Sequence, residues 1–393
     1  MKKLMIVGAS VLQLPAILKA KEMGLNIAVV DFNPQAIGIP YADKYYNAST
    51  MDEDAVLAVA QDFKPDGIMT LATDMPMRGV AKTSDKLNLH SINYETAVKA
   101  TDKYDMIKAF KEHDVPSPWF FVVETLEELK EHDSDVTFPC IIKPTDNAGS
   151  HGVAKVYSSQ ELLDNYEYAH SCSRHGKVII EEFLDGPEVS VEVMVVNGVV
   201  NILQITDKIT TEAPHFVELG HTQPSQLPMD TQEAIRKVTV AACKAIGIDK
   251  GPAHVEMKVT KRGPVMIELG ARMGGDNITT HLVPLSTGID MVGSTIKVAL
   301  GEEPDIEPSL HCGSAIRYFQ VPFGTIKAIE NVDEAKQIPG VKQITFTKEV
   351  GEESTPIHCS NDRIGFVIAQ GATAKDAIKA CEEAMKVVQI KID

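Results

Sequence analysis

The sequence predicts a mixed fold, with an α/β region at the N-terminus followed by α+β regions. Residues 1–100 alternate apolar, strand-like runs with helical stretches, which is the order of a parallel βαβ sheet. Residues 139–272 contain pairs of apolar runs separated by turn residues, which indicates antiparallel hairpins. Residues 308–393 are mainly short strands with a closing helix, which indicates a small terminal α+β unit.

The N-terminal region begins with the apolar run LMIVG and continues in a regular alternation. The pattern predicts strands at 4–8, 26–31 and 67–71, with helices at 11–23 and 52–63. A further helix is predicted over 99–115, where Pro116 and Pro118 stop it.

The middle of the chain changes to strands and hairpins. Asn197-Gly198 is a typical hairpin turn, so residues 188–206 are predicted to fold back on themselves. The remaining predicted elements are strands at 139–144 and 177–183, a helix at 231–245, a hairpin at 254–272, and helices at 291–299 and 374–387.

Composition limits the class of protein. With 393 residues, 44% hydrophobic and 24% charged, the chain has the composition of a globular protein of two or three domains. The net charge of −17 argues against general binding to nucleic acid or to an anionic membrane. The apolar runs are too short for a membrane span. The six cysteines are scattered without metal-type spacing, which favours a reduced, cytoplasmic protein.

The hairpin at 254–272 carries the clearest chemical signal. Glu256 and Glu268 lie on its two strands, each among apolar residues, where an unpaired carboxylate is costly. Two facing carboxylates repel each other unless a cation lies between them. Mg²⁺ uses one or two carboxylates and completes its shell with water and phosphates, so the hairpin predicts a Mg·ATP site. The alternative is a pair of carboxylates at strand edges that face solvent.

Two stretches upstream have the features of a nucleotide site. Lys143 ends an apolar run and precedes a small-residue loop at 145–153, where charge and backbone N–H groups could hold phosphates. The loop lacks the P-loop pattern, and a plain strand and turn is the alternative. Residues 181–192 could supply an apolar slot for adenine, with Glu188 on the ribose. The alternative there is an acidic, solvated loop.

Arg272 follows the second carboxylate and precedes Gly274 and Gly275. Its fixed fork of donors suits a carboxylate or an acyl phosphate, and the glycines allow backbone N–H groups to approach closely. The alternative is an arginine in a surface ion pair.

The order of these signals resembles the ATP-grasp superfamily over nearly the whole chain. The pattern is most similar to the L-amino-acid ligase and biotin carboxylase-like group. This resemblance implies an N-terminal βαβ domain at 1–100, an ATP-grasp domain at 101–307 with its lid at about 138–206, and a C-terminal α+β domain at 308–393. It also implies ATP and Mg²⁺ as cofactors, with Mn²⁺ as a substitute.

The resemblance assigns a role to each matching residue. Lys103, Lys143 and loop residues Gly149, Ser150 and Gly152 would hold the phosphates, and Glu188 the ribose. Glu181 would reach the adenine amino group, and Glu182 and Leu184 would bond adenine through their backbones. Glu256 and Glu268 would ligate Mg²⁺, and Arg272 would stabilise the acyl phosphate. His221, Gly274 and Gly275 would lie near the substrate, although His221 could equally be a loop histidine with a packing role.

One position departs from the family pattern. Many members have an asparagine two residues after the second glutamate as a third metal ligand, and this chain has Gly270 there. How a second Mg²⁺ would be held is therefore open, with Asp276 and Asn277 as candidates.

The function implied is an ATP-dependent carboxylate–amine ligase that forms an amide or peptide bond through an acyl phosphate and releases ADP and phosphate, with amino acids as the expected substrates. Within the fold, the alternatives are a carboxylase and a purine-pathway enzyme resembling glycinamide ribonucleotide synthetase. Outside it, Asp31 at the end of the second strand would suit an NAD-dependent dehydrogenase, but GxGxxG is absent. A non-catalytic ATP-binding module is a further alternative. The expected partners are small-molecule carboxylates and amines, with a homodimer allowed, and neither nucleic acid nor membrane.

Overall fold

A computed structural model describes residues 1–146, 152–213 and 215–393. The N-terminal region is a parallel four-stranded sheet in the order β3-β2-β1-β4. The strands are β1 (Lys3–Val7), β2 (Asn26–Asp31), β3 (Lys44–Asn47) and β4 (Gly67–Met69). The predicted parallel sheet is therefore confirmed, and β3 is an addition that the polar, largely exposed stretch KYYN did not signal.

Both faces of this sheet are buried. Leu4 and Ile6 of β1 pack in one apolar cluster, whereas Met5 and Val7 pack in another on the opposite face, because successive side chains of a strand alternate. The helices of this region are α1 (Leu14–Glu22), α2 (Glu53–Phe63), α3 (Met77–Leu87), α4 (Tyr94–Thr101) and α5 (Lys103–Glu112).

The prediction of one helix over 99–115 is wrong, because the chain breaks between α4 and α5. Asp102 has an extended backbone, and its side chain accepts hydrogen bonds from the N–H groups of Tyr104 and Asp105 at 2.9 and 3.2 Å. An aspartate in this role starts a new helix. The break places Lys103 in the first position of α5, where its N–H donates to the Thr145 carbonyl at 2.9 Å.

A second, smaller sheet follows in the order β5-β8-β6-β7. Its strands are β5 (Phe120–Val123), β6 (Cys140–Pro144), β7 (Ala154–Val156) and β8 (Val178–Glu182), and its helices are α6 (Leu126–Glu131) and α7 (Ser159–Ser171). Ile142, Ile180 and Leu162 belong to one apolar cluster that joins this sheet to α7.

The largest sheet has eight strands in the order β13-β12-β9-β10-β11-β14-β18-β16, and a three-stranded sheet lies in the order β17-β15-β19. The strands are β9 (Glu188–Val196), β10 (Val199–Thr210), β11 (Glu218–Gln223), β12 (Gly251–Thr260), β13 (Gly263–Gly270), β14 (Gly313–Tyr318), β15 (Gly324–Glu330), β16 (Val341–Phe346), β17 (Glu353–Ser354), β18 (Gly365–Gly371) and β19 (Gln389–Ile392).

The remaining helices are α8 (Met229–Ile246), α9 (Val283–Thr287), α10 (Met291–Ala299), α11 (Val332–Lys336) and α12 (Ala374–Val387). The predicted bounds of α10 and α12 are confirmed. Because β14 pairs with β11, strands β14, β18 and β16 of the C-terminal region extend the sheet that carries the 254–272 hairpin. None of the helices in the described ranges combines the length and apolar character needed to cross a bilayer.

Candidate active site

A single cavity of about 1710 Å³ gathers most of the predicted site residues. It runs between the N-terminal helix α1, the small sheet and one face of the eight-stranded sheet. Its lining includes Lys103, Lys143, Glu181, Glu182, Leu184, Glu188, His221, Glu256, Glu268, Arg272, Gly274 and Gly275. Residues that are up to 172 positions apart in the sequence thus meet at one place, as the predicted roles require.

The loop residues are the exception. Gly149 and Ser150 lie outside the described residues, so their predicted role stays a prediction. Gly152 does not belong to the cavity lining. It has φ +78°, and a Cβ there would lie 2.7 Å from the Cys172 Cβ and 2.9 Å from the Pro144 Cδ. Packing and backbone conformation therefore suffice to explain this glycine.

Lys143 and Glu181 form a buried ion pair at the small-sheet end of the cavity. Lys143 Nζ lies 2.5 Å from Glu181 Oε1. The other oxygen, Glu181 Oε2, is buried and has no hydrogen-bond partner among the described residues. A buried acceptor without a donor is costly, so this oxygen is suited to receive an N–H group from a ligand.

The centre of the cavity contains a lysine that sequence reasoning missed. Lys208 Nζ lies 2.6 Å from Glu188, 2.8 Å from Glu256 and 3.5 Å from Glu218. Burial alone would lower the pKa of Lys208, but the three carboxylates raise it well above its usual value. The register of β9 with β10 pairs Lys208 with Glu188, so a lysine opposite a predicted ribose ligand was the available signal.

The two predicted metal ligands face each other as expected. Glu256 and Glu268 are partners in the register of β12 and β13. Lys103 Nζ lies 3.3 Å from Glu268 Oε2, and Lys208 Nζ lies 2.8 Å from Glu256 Oε2. Burial would raise the pKa of Glu256, but Lys208 and His254 hold it well below its usual range. Glu256 is therefore available in the ionised form that Mg²⁺ needs.

The described residues contain no cluster of three acidic, histidine or cysteine side chains that would hold a metal by themselves. Two facing carboxylates are what Mg²⁺ uses when substrate phosphates complete its shell. The donor set therefore fits a metal that enters together with a nucleotide, rather than a closed structural metal site.

A buried histidine, His254, contacts the carboxylate of Glu256. His254 Nε2 lies 3.0 Å from Glu256 Oε1, and His254 Nδ1 lies 2.9 Å from Glu192 Oε1. Burial lowers the pKa of His254, but Glu192 and Glu256 raise it overall to about 9. Gly274 packs against this pair, since a Cβ there would lie 2.6 Å from His254 Nδ1. Sequence reasoning included Glu192 in an acidic stretch, whereas it is fully buried.

Arg272 does not present an open guanidinium. Its Nε and Nη2 donate to the two oxygens of Asp74 at 2.9 and 2.7 Å. A Cβ at Gly270 would lie 2.8 Å from Asp74 Oδ1 and 2.9 Å from Arg272 Nε. The Asp74–Arg272 pair thus occupies the space that a side chain at position 270 would need, which gives a steric reason for the glycine.

His221 belongs to a polar cluster at the other end of the cavity. Its Nε2 lies 3.2 Å from Asp276 Oδ2, and Arg363 donates to both oxygens of Asp276 at 2.8 Å. The Arg363 guanidinium also lies 3.9 Å from the centre of the Tyr318 ring. Asp276, one candidate for a replacement metal ligand, is therefore engaged by an arginine and a histidine.

The environment of Asp31 argues against the dehydrogenase alternative. Asp31 is 6% exposed, and its oxygens accept the N–H groups of Ala9 and Asn33 at 2.8 and 2.9 Å. Its carboxylate fixes the turn between β1 and α1. Asp31 therefore has a structural role, and not the ribose-binding role that a dehydrogenase would require.

Comparison with known proteins agrees with this geometry. Residues 136–281 match the family model of the ATP-grasp domain, and residues 317–393 match L-amino acid ligase C-terminal domain 2. Alanine–anticapsin ligase of Bacillus subtilis is 28% identical over 323 residues, which cover 75% of this chain and 66% of that protein.

Two solved structures are similar along the whole chain. The L-amino acid ligase from Bacillus licheniformis has a TM-score of 0.86 and 24% identity, with 100% of this chain and 99% of that chain covered. The phosphoribosylglycinamide synthetase from Anaerococcus prevotii has a TM-score of 0.81 and 26% identity, with 100% of both chains covered. The chain therefore contains an ATP-grasp domain at residues 136–281 and an L-amino acid ligase C-terminal domain at residues 317–393.

Proposed function

We propose that the protein is an ADP-forming carboxylate–amine ligase that joins amino acids or closely related compounds. The observation that carries this proposal is the shared cavity, which is lined by the facing pair Glu256 and Glu268 together with Lys103, Lys143 and Arg272. ATP would phosphorylate the carboxylate of one substrate, and the amine of the other would displace phosphate from the acyl phosphate.

Several residues have a proposed role in binding ATP or the metal, and all of these residues line the cavity. Lys143, Glu181, Glu182 and Leu184 would hold the adenine and the adjacent phosphates, and Glu188 would hold the ribose. Lys103 begins α5, and its side chain contacts Glu268. Lys103 would therefore bind the terminal phosphates beside the predicted metal ligands. Glu256 and Glu268 would hold Mg²⁺, which would supply charge neutralisation to the phosphate oxygens.

Arg272 would stabilise the acyl phosphate and the tetrahedral state that follows. Asp74 fixes the plane of its guanidinium through two parallel hydrogen bonds, and a fixed donor costs little reorganisation during the reaction. The donor Nη1 also bonds the Met273 carbonyl at 3.1 Å, which leaves the group well oriented rather than mobile.

An amino-acid substrate is favoured over a sugar phosphate by the charges of the cavity. Within the described lining, every lysine and arginine contacts a carboxylate: Lys19, Lys103, Lys143, Lys208, Lys258, Arg272 and Arg363. A purine-pathway substrate needs a further cationic site for its own phosphate, beyond the groups that hold ATP. An amino acid needs only an arrangement of mixed charges.

The test is a screen for ADP and phosphate release with single amino acids and with pairs, and with mass detection of products. Bicarbonate and 5-phosphoribosylamine with glycine serve as arms for the two alternatives within the fold. A dipeptide or related amide formed in step with ADP supports the proposal. ADP release that requires bicarbonate or the phosphoribosyl compound, without any amino-acid product, would replace it.

A further inference from the structure

The cluster of His221, Asp276 and Arg363 joins three distant parts of the chain at the cavity. His221 lies on β11, Asp276 follows the Gly274-Gly275 stretch after β13, and Arg363 precedes β18. His221 is 1% exposed yet lines the cavity. The cluster therefore places a buried imidazole next to the space that the substrates would use.

Asp276 fixes which nitrogen of His221 carries the hydrogen. Burial would raise the pKa of Asp276, but hydrogen bonds from Arg363 and His221 hold it well below its usual range. An ionised carboxylate accepts hydrogen bonds and cannot donate them, so Nε2 must be the protonated nitrogen. In neutral His221, Nδ1 is then a lone-pair acceptor.

This acceptor has no partner among the described residues. The cavity lining contains a second such atom, Glu181 Oε2, which lies where the adenine amino group is expected. A buried acceptor without a donor is unfavourable, so each atom marks a position where a ligand donor would be favourable. By the same reasoning as at Glu181, His221 Nδ1 marks the place of a second N–H group.

We propose that His221 is the general base that activates the amine substrate, an inference that rests on the ligase function proposed above. His221 Nδ1 takes one proton from the substrate ammonium group. The freed electron pair of the amine attacks the acyl carbon, the bond between that carbon and the phosphate oxygen breaks, and the phosphate leaves with its electron pair. The new amide nitrogen gives its remaining extra proton to the departing phosphate.

Asp276 and Arg363 act as positioning residues in this scheme. Asp276 and the following Asn277 have φ values of +51° and +61°, an unfavourable region for residues other than glycine. The two hydrogen bonds from Arg363, which is also held by the Ser360 and Glu218 carbonyls, fix Asp276 in this conformation. The C-terminal part of the chain thus helps to orient the proposed base.

Charged groups of both signs surround His221. Asp276 bonds its ring, Arg363 lies behind Asp276, Arg317 donates to its carbonyl, Glu218 lies on the same strand, and Lys208 is its register partner on β10.

The experiment compares two nucleophiles in His221→Asn and wild-type enzyme. The first nucleophile is the amino acid identified by the product screen, which is an ammonium ion at neutral pH. The second is hydroxylamine, which is uncharged at neutral pH and needs no base to attack an acyl phosphate. His311→Gln, an exposed histidine outside the cavity, is the matched control.

The expected result is a selective loss. His221→Asn should lower amide formation by about 10²–10⁴-fold, the range for a general base, while hydroxamate formation changes by less than a few-fold. Asp276→Asn should show the same selectivity, because an amide can stabilise the wrong histidine tautomer. His311→Gln should leave both rates within a few-fold of the wild-type values.

Equal losses with both nucleophiles in a folded His221→Asn protein would overturn the assignment, since hydroxylamine needs no base. If that variant does not fold, Asp276→Asn decides the question by the same ratio of rates. Absence of hydroxamate from wild-type enzyme, with ADP accumulating, would instead reject the acyl phosphate and the ligase proposal with it.

Discussion

Arg272 and Asp74 form a two-point ion pair across 198 positions of sequence, with distances of 2.9 and 2.7 Å. Asp74 follows the last strand of the N-terminal sheet, and Arg272 follows the second predicted metal ligand. Burial lowers the pKa of Arg272, but Asp74 raises it above its usual value, so the guanidinium stays charged. The N-terminal region thereby contributes directly to the predicted catalytic arginine.

Arg272→Ala should lower turnover by about 10²–10³-fold, because a positioned donor to the reacting oxygens is lost. ATP affinity should change little, because the adenine end of the cavity is separate from Arg272. Arg272→Lys should recover little activity, since lysine cannot make the two-point bond with Asp74. Steady-state rates and calorimetric ATP titrations measure both effects. A loss of ATP binding in Arg272→Ala would contradict this role.

Gly270→Ala tests the steric explanation for the glycine. The added Cβ would displace Asp74 and Arg272, which lie within 2.8 and 2.9 Å of it. Turnover should fall about tenfold to a hundredfold, because a displaced catalytic group loses its alignment. The double variant Gly270→Ala/Asp74→Ala should show non-additive losses, since both changes disturb one ion pair. Additive losses would indicate that Gly270 acts elsewhere.

Glu268→Gln should abolish measurable turnover while the fold stays intact, because an amide cannot replace a charged Mg²⁺ ligand. Binding of Mn²⁺ in the presence of ADP, followed by electron paramagnetic resonance, should weaken by at least about tenfold. Glu302→Gln, in an exposed pair with Lys2, is the control. Near-normal Mn²⁺ affinity in folded Glu268→Gln protein would reject the metal assignment.

Lys208→Met should destabilise the protein without ligand, because Glu188, Glu218 and Glu256 would lose their shared cation. Breaking a buried ion pair costs about 3–5 kcal/mol, and denaturant unfolding measures this difference. Lys327→Met, which breaks an exposed pair with Asp393, should cost less than about 1 kcal/mol. Equal costs in the two variants would mean that the buried cluster gives no special stability.

The His254 imidazolium should make the stability of the protein without ligand depend on pH. Its pKa is raised from 6.5 to about 9 in the folded state, so the folded state binds the proton more tightly. Since each tenfold in proton affinity is about 1.4 kcal/mol, the proton adds about 3 kcal/mol. This stability is fully present below pH 6.5 and is lost as the pH rises through about 9. The free energy of unfolding, measured across this range, should lose that slope in His254→Gln.

Local patterns were sufficient for much of the fold. The bounds of α10 and α12 follow from helical periodicity and their capping residues, Asp290 and Thr373. The tight turn pairs Thr260 with Gly263, and this register alone would place Glu256 opposite Ile267. A register shift between Glu256 and Met257 places Glu256 opposite Glu268 instead. The single helix predicted over 99–115 failed because the capping aspartate Asp102 was overlooked.

The sequence by itself determined most of the elements and the hairpin that carries Glu256 and Glu268, since these depend on neighbours a few positions apart. Only the tertiary structure decided the partners of those residues. Lys208 meets its carboxylates through strand pairing, Asp74 reaches Arg272 across 198 positions, and Arg363 reaches Asp276 across 87. Such contacts depend on how distant strands and loops are brought together in three dimensions, and no local periodicity encodes that arrangement.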